Sequence, residues 1–354
     1  MTTTDPLPAG PADITAAWLS AALGMTVTDV EVAPLGTGQT GATYRIRPSY
    51  AGPAGPPTLV VKLPSQQDEV RDRVALGYRA EHAFYAGAAD TLAVPTPHAY
   101  LCEIDRDGAD FVLLMDDQAP AEQGDQIRGC TVEEAALAVT ALAGLHGPRW
   151  CDPAWLDFPG VTMPRADADF AAGVGMAAQL AAATTVERLG GRMSAADRAT
   201  LLATADATGT WLQLEPDRFA LLHGDYRLDN LLFDPARSRI TVVDWQTIAV
   251  GLPARDLAYF LGTGLTVADR TAAERDLVQR YHAALLTYGV SDYGAETCWR
   301  DYRLGTPQIT LISSFGVAFA ASTERGDDMM LAMLARGCAA IRELGTLELI
   351  AELA

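Results

Sequence analysis

The chain has 354 residues, 49% of them hydrophobic and 20% charged, with no low-complexity tract, so it has ample core for one large or two medium globular domains. Its formal net charge of -19 argues against nucleic acid or an anionic membrane surface as partner, because both would be repelled. Five cysteines without a C-x-x-C pair, a start that lacks signal-peptide character and the absence of any run of about 18 apolar residues predict a cytoplasmic chain with no zinc site, disulfide framework or membrane span.

After a Pro-rich start, Ile14, Trp18, Leu19 and Leu23 recur at helical spacing and Gly24 follows as a stop, which predicts a short amphipathic helix. Gly36, Gly38 and Gly41 then fall in a G-x-G-x-x-G pattern. The residues after them, Ala42 to Ile46, alternate like a strand instead of opening a helix, so the glycines are expected to join two strands rather than start a dinucleotide-binding helix. A hairpin tip of this kind can lie over nucleotide phosphates, since only glycine lets the backbone come that close.

The next strand, Thr58 to Pro64, places Lys62 among apolar residues, where it needs an anionic partner. The helix predicted over 67–88 offers Glu81, 19 positions further on, and a Lys/Glu pair of this type presents an ammonium to the α and β phosphates in kinases. Runs at 99–104 and 110–115 flank a turn closed by Asp107-Gly108, completing about five strands and one helix. Met115, Asp116 and Gln118 then mark a change from strands to helices, an expected hinge over 116–118 whose main chain would read adenine.

From there the pattern is helical. Thr131 and Glu134 form a capping-box signature, and an Ala-rich stretch over 170–186 reads as a packed helix. Further helices are expected over 268–288, 295–321 and 327–349.

Between them lies the segment from Leu221 to Trp245, LLHGDYRLDNLLFDPARSRITVVDW, which carries Asp225, Asn230 and Asp244. The runs 231–233 and 240–243, separated by an Asp-Pro turn, predict a hairpin that returns Asp244 beside the loop of Asp225 and Asn230. Oxygen-bearing side chains of this kind suit a hard cation such as Mg2+ and its bound phosphates. The D-x-x-x-x-N spacing fits a kinase catalytic loop, with Asp244 where protein kinases carry the aspartate of D-F-G.

In combination, His223-Gly224-Asp225 with Asn230, Val243-Asp244-Trp245-Gln246 and Gly251 through Ala258 resemble the aminoglycoside phosphotransferase family, which includes choline kinases and ecdysteroid-kinase-like enzymes. The resemblance is specific over 35–261 and looser beyond. It implies an α+β, bilobal protein-kinase-like fold: a small antiparallel-sheet N-terminal lobe over 1–115, the hinge at 116–118, and a large, mostly helical lobe over 119–354.

The resemblance also implies transfer of the γ-phosphate of ATP, or GTP, with Mg2+ as cofactor, to the hydroxyl of a small-molecule substrate. Carried over by position, Asp225 is the catalytic base or orienter, Asn230 and Asp244 are metal ligands, and Lys62 with Glu81 sets the phosphates. Asp256 and His223 brace the catalytic loop. No A-P-E motif follows Asp244, which disfavours protein substrates. Position 227 departs from the family pattern, being arginine where aminoglycoside enzymes often place histidine; Arg227 offers a cation to the transferring phosphoryl group or packs the loop.

Two clues to the acceptor diverge. Trp299, Tyr302 and Phe315 on the late helices suit a pocket for a macrolide, steroid or acyl-type alcohol, or the helical core. The acidic balance suits an aminoglycoside or choline. An antibiotic-modifying kinase, a metabolic kinase for a lipid-like, steroid-like or choline-like alcohol, and a silent nucleotide-binding pseudokinase are thus the alternatives.

Overall fold

The computed structural model describes residues 6–35, 41–53, 55–105, 108–319 and 322–354. The chain divides into two compact units, Met1–Asp90 with Thr96–Pro120 and Val243–Thr247, and Thr91–Pro95 with Ala121–Val242 and Ile248–Ala354. The expected hinge at 116–118 lies inside the first unit, and so does the short segment that carries Asp244.

In the first unit, helix α1 (Ala16–Leu23) starts where the Thr15 side chain accepts the Trp18 N–H and stops at Gly24, whose φ of 64° is the left-handed conformation that glycine adopts without strain. Strands β1 (Val27–Pro34), β2 (Gly41–Tyr50) and β3 (Leu59–Pro64) follow, then helix α2 (Asp68–Ala83) with a wider turn at Phe84–Ala88, then β4 (Ala99–Asp105) and β5 (Asp110–Asp116). The sheet order is β1-β2-β3-β5-β4 and every neighbouring pair is antiparallel. The predicted hairpin tip with Gly36 and Gly38 lies outside the described residues, and Gly41 opens β2 opposite Pro64.

Strand alternation sorts the two faces of this sheet. Leu59, Val61 and Leu63 pack with Ile46, Val112, Leu114 and Leu19 of α1 on one side. Val60, Leu113 and Met115 pack with Tyr78 of α2 and Phe111 on the other. Lys62 shares the parity of Val60, so the pleat turns it to the face that α2 covers.

Just past β5, Arg45 grips Asp117 through two bonds, Nε to Oδ2 at 2.6 Å and Nη2 to Oδ1 at 3.2 Å. Burial by itself would raise the Asp117 carboxyl, but the Arg45 guanidinium and the Ala119 N–H hold it below the usual aspartate range. A depressed folded-state pKa means stability that is present above the unfolded value near 3.9 and is lost as pH falls through the lower folded value. Asp117→Asn is therefore expected to cost about 1–2 kcal/mol at pH 7. Urea midpoints measured from pH 7 to 3 should show the gap between variant and wild type closing only below about pH 4.

The second unit opens with β6 (Glu122–Gln123) and helix α3 (Val132–His146), begun by the expected reciprocal box between Thr131 and Glu134. The Ala-rich stretch is helix α4 (Ala168–Leu189), which packs on α5 (Ala195–Trp211); Gly175 meets the backbone of Gly209, so small residues set their close approach. No helix among the described residues is long and apolar enough to cross a membrane.

Short strands β7 (Ala220–Leu222), β8 (Leu231–Phe233), β9 (Ile240–Val242) and β10 (Ala249–Gly251) follow, with β8 and β9 forming the predicted hairpin. Helices α6 (Ala254–Gly264), α7 (Val267–Thr287), α8 (Ala295–Gly305), α9 (Pro307–Phe319), α10 (Glu324–Glu343) and α11 (Thr346–Leu353) complete the unit. The helix expected over 295–321 is thus two helices, because Pro307 has no N–H to continue α8. The one expected over 327–349 is also two, parted at Gly345 with φ 60°.

Candidate active site

Strand β7 is fully buried and paired with β10, so it delivers His223 and Gly224 from a fixed base. Gly224 has φ 82°, a conformation a side chain would strain. Asp256, buried in the first turn of α6, accepts the His223 N–H at 2.6 Å and the Gly224 N–H at 3.1 Å. The Gln308 side chain donates to the Gly224 carbonyl, and Gln126 accepts the Leu228 N–H and donates its own N–H to Asp229. A loop that makes no ladder of its own is thereby satisfied by side chains from three directions.

The result is a tightly specified Asp225. Its Oδ1 accepts the Tyr259 hydroxyl at 2.7 Å, and its Oδ2 accepts Arg227 Nε at 2.9 Å and Asn230 Nδ2 at 3.1 Å. Asn230, buried in the turn Leu228–Asn230, also donates to the Asp225 carbonyl at 2.9 Å. Arg227 is paired a second time, to Asp229 at 3.3 Å, and meets the Met329 sulfur at 2.9 Å. Burial opposes the Arg227 charge, but Asp225 and its neighbours outweigh it and hold the guanidinium above its ordinary pKa. Arg227 is thus an ion-pair partner of the carboxylates of its own loop, Asp225 and Asp229.

In the first unit, Lys62 Nζ lies 2.7 and 2.8 Å from the two Glu81 oxygens and 3.1 Å from Asp244 Oδ1. Glu81 is 1% exposed and also accepts the Trp245 N–H at 3.4 Å and the Gln246 side chain at 3.3 Å. Burial would strip Lys62 of its proton, yet Asp244 and Glu81 outweigh it and raise the ammonium pKa above its ordinary value. Burial pushes the Glu81 carboxyl up, with Lys62 pulling against it.

What assembles this cluster is aromatic packing. Trp245 is fully buried and stacks on Phe84 with ring centroids 3.6 Å apart, which ties the residue after Asp244 to the end of the helix that carries Glu81. Asp244 itself has φ 69°, an uncommon conformation for a residue with a side chain, and one that concentrates at functional positions.

The family model described as "Phosphotransferase enzyme family" matches residues 31–295, well over half of the chain. The chain belongs to this family.

Among curated relatives, the human protein "Acyl-CoA dehydrogenase family member 11" is 51% identical over 41 residues, 11% of this chain and 5% of that protein. Its rat counterpart is 29% identical over 175 residues, 47% of this chain, and the match spans only 20% of the rat protein's length. Among solved structures, choline kinase from Cryptosporidium parvum aligns over 90% of this chain and 91% of its own, with TM-score 0.60 and 11% identity. A microcompartment-associated aminopropanol kinase aligns over 94% and 98%, with TM-score 0.52 and 18% identity. These likenesses show a shared kinase-like α+β fold.

In this family member the donor chemistry at the expected cation positions is oxygen. Asn230 commits its NH2 end to Asp225, which leaves the amide oxygen as the end for a cation. Among the described residues no group of three or more His, Cys, Asp or Glu stands ready to hold a metal alone. A hard cation bound partly through substrate phosphates, as Mg2+ usually is, fits that sparse protein set.

The remaining expected residues take varied places. Met115 is a buried β5 residue opposite Val60, and the Asp116 N–H is bonded to the His98 carbonyl while its side chain accepts the Tyr100 hydroxyl at 2.8 Å. Gln118 follows two residues past β5 and is half-buried. Tyr302 is fully buried in α8 and its hydroxyl bonds Glu274 at 2.7 Å, so it stands in the α7–α8 core instead of on a pocket wall. Trp299, beside it, is covered by the exposed Arg275 guanidinium at 3.6 Å from its centroid. Phe315 packs against the core shared by α4 and α5 and contacts Phe319.

Tyr259 escaped the sequence reading. The available signal was its place three residues after Asp256 on a largely apolar helix, where i,i+3 residues share a face and a buried phenol hydroxyl needs a partner.

Proposed function

We propose that this chain transfers the γ-phosphoryl group of ATP or GTP to the hydroxyl of a small molecule, in a reducing cytoplasm. The observation that carries the reading is the Asp225 carboxylate, fixed by Tyr259, Arg227 and Asn230 at the end of the loop braced by Asp256. The acceptor oxygen attacks the γ-phosphorus, the bond from that phosphorus to the β,γ-bridging oxygen breaks, and Asp225 orients the hydroxyl and takes its proton. Lys62, held charged by Glu81 and Asp244, binds α and β phosphate oxygens. Asn230 and Asp244 would hold Mg2+, which neutralises charge on the phosphates. Presence of all five residues favours an active enzyme over a silent nucleotide-binding module.

For the acceptor, one observation favours an alcohol with a largely apolar body over an aminoglycoside. Tyr259, Ile309 and Met333 form a buried apolar cluster flanked by Ile312, Met329 and Met330, and Met329 touches Arg227 of the catalytic loop. The partly buried Ile312, Met329 and Met330 are adaptable thioether and aliphatic groups, and Met329 contacts Arg227, so they suit an alcohol with a largely apolar body better than a polycationic sugar. The test is mass spectrometry of pooled aminoglycosides, macrolides, sterols, choline-like amines and hydroxyacyl compounds incubated with enzyme, Mg2+ and ATP or GTP. A lipid-like product one phosphoryl group heavier, absent with Asp225→Asn, is expected; phosphorylated aminoglycoside instead would overturn the acceptor reading, and nucleotide binding with neither product nor nucleotide hydrolysis would point to the silent module.

A further inference from the structure

The two oxygens of Asp225 are not equivalent. Oδ2 is occupied twice over, by the charged Arg227 and by the Asn230 amide, whereas among the described residues Oδ1 is held by one neutral donor, the Tyr259 hydroxyl. A carboxylate oxygen accepts about two hydrogen bonds in its plane, so Oδ2 is saturated and Oδ1 retains one acceptor direction.

We propose that Tyr259 is a positioning residue that selects Oδ1 of Asp225 as the oxygen facing the acceptor hydroxyl and fixes the direction of its remaining lone pair. The inference rests on the phosphotransfer reading and adds to it which atom acts and what aims it. Both links from α6 to the loop sit one helical turn apart: Asp256 binds the backbone of His223 and Gly224, and Tyr259 binds the side chain of Asp225. A loop aspartate could swing about its side-chain torsions even with its backbone fixed; a third contact from a rigid, fully buried helix removes that freedom.

The phenol is well suited to the task. Burial first, and the Asp225 charge second, keep the Tyr259 hydroxyl well above its ordinary pKa, so near neutral pH it is a protonated donor. As a neutral donor it orients Oδ1 without the full charge that Arg227 already brings to Oδ2. The charged and titratable groups that bear on Asp225 are therefore Arg227 and Asp229 from its own loop, Tyr259 from α6, and His223, whose Nδ1 accepts the Asp225 N–H at 3.3 Å.

The test is Tyr259→Phe, which keeps the ring that packs with Ile309 and Met333 and removes only the hydroxyl. Two readouts are needed. In the first, the carboxyl carbon of Asp225, assigned by its loss in Asp225→Asn, is observed by nuclear magnetic resonance at neutral pH in 13C-aspartate-labelled protein. Loss of the Tyr259 donor to Oδ1 should shift that resonance in the variant, while thermal unfolding stays close to wild type. In the second, transfer from Mg2+-bound ATP to water, and to whatever acceptor the panel yields, should fall roughly ten- to a hundredfold in kcat, as expected for one hydrogen bond to a charged group, with KM for ATP unchanged.

An unaltered Asp225 carboxyl resonance in a well-folded variant would overturn the positioning role whatever the activity. A shifted resonance with kcat unchanged would also overturn it, since the bond would then exist without aiming the reaction. Failure of the wild type to transfer or hydrolyse at all, with the resonance shift present, would instead remove the function assigned above and take the catalytic part of this role with it.

Discussion

Asp225→Asn is expected to lower turnover by roughly 10²- to 10⁴-fold, the range for loss of a positioned proton acceptor. The substitution is nearly isosteric, and the local donors allow it. An asparagine can turn its amide oxygen toward Arg227 and Asn230 and give its NH2 to the Tyr259 oxygen, so the loop keeps its bonds while its charge disappears. Arg227 retains Asp229 as counter-ion, which limits any structural cost. Nucleotide affinity, measured by equilibrium titration, should remain within a few-fold of wild type. Turnover equal to wild type would remove Asp225 from the mechanism, and with it the role given to Tyr259.

Lys62→Met should act on stability and on nucleotide binding together. The side chains of Lys62 and Glu81 are 15% and 1% exposed, so removing the ammonium leaves a carboxylate in the interior that keeps, among the described residues, the neutral donors of the Trp245 N–H and the Gln246 amide. Stranding one member of a buried pair costs about 3–5 kcal/mol. The lower end applies here, because Glu81 can take up a proton: burial already raises its pKa, and the loss of Lys62 removes the force that lowers it.

That gives the pH dependence a sign. A carboxyl whose folded pKa lies above its unfolded value is destabilising where it must ionise, and the penalty fades as pH falls through the folded pKa. The stability gap between Lys62→Met and wild type should thus be widest near neutrality and should narrow toward pH 5. On the wild-type side the Lys62 contribution is flat through this window, because a raised lysine pKa gives stability that is complete below its unfolded value of about 10.4.

The double variant Lys62→Met with Glu81→Gln separates the two roles. Replacing the stranded carboxylate with a neutral amide should restore most of the unfolding free energy in urea, while ATP binding stays weak. Recovery of binding along with stability would mean that Lys62 serves the fold and not the phosphates.

The sequence by itself determined the kinds of element and the order of the chemical residues. The apolar run around Lys62, the alternation over 42–46 and the capping box at Thr131 are local patterns, set by side-chain direction along a strand or helix, and local geometry obeys them. The motif series from Lys62 to Asp256 was legible for the same reason: its members are close in sequence or fixed by type. Even the pairing of Lys62 with Glu81 could be anticipated, since an ammonium on an apolar strand has to find a carboxylate.

Only the tertiary structure decided which distant groups meet. Tyr259 reaches Asp225 across 34 positions, and Trp245 reaches Phe84 across the sheet unit, through packing that no local period encodes. It separated core from candidate pocket as well: Tyr302 has the same apolar-helix setting in sequence as a pocket residue would, and its burial against Glu274 is what distinguishes the two. It turned Arg227 from a free cation into a doubly paired one, because the carboxylates that hold it lie two residues away on either side and only the turn at 228–230 folds both back onto it. Periodicity fixes which way a side chain points; what it meets there depends on a partner brought from elsewhere in the chain.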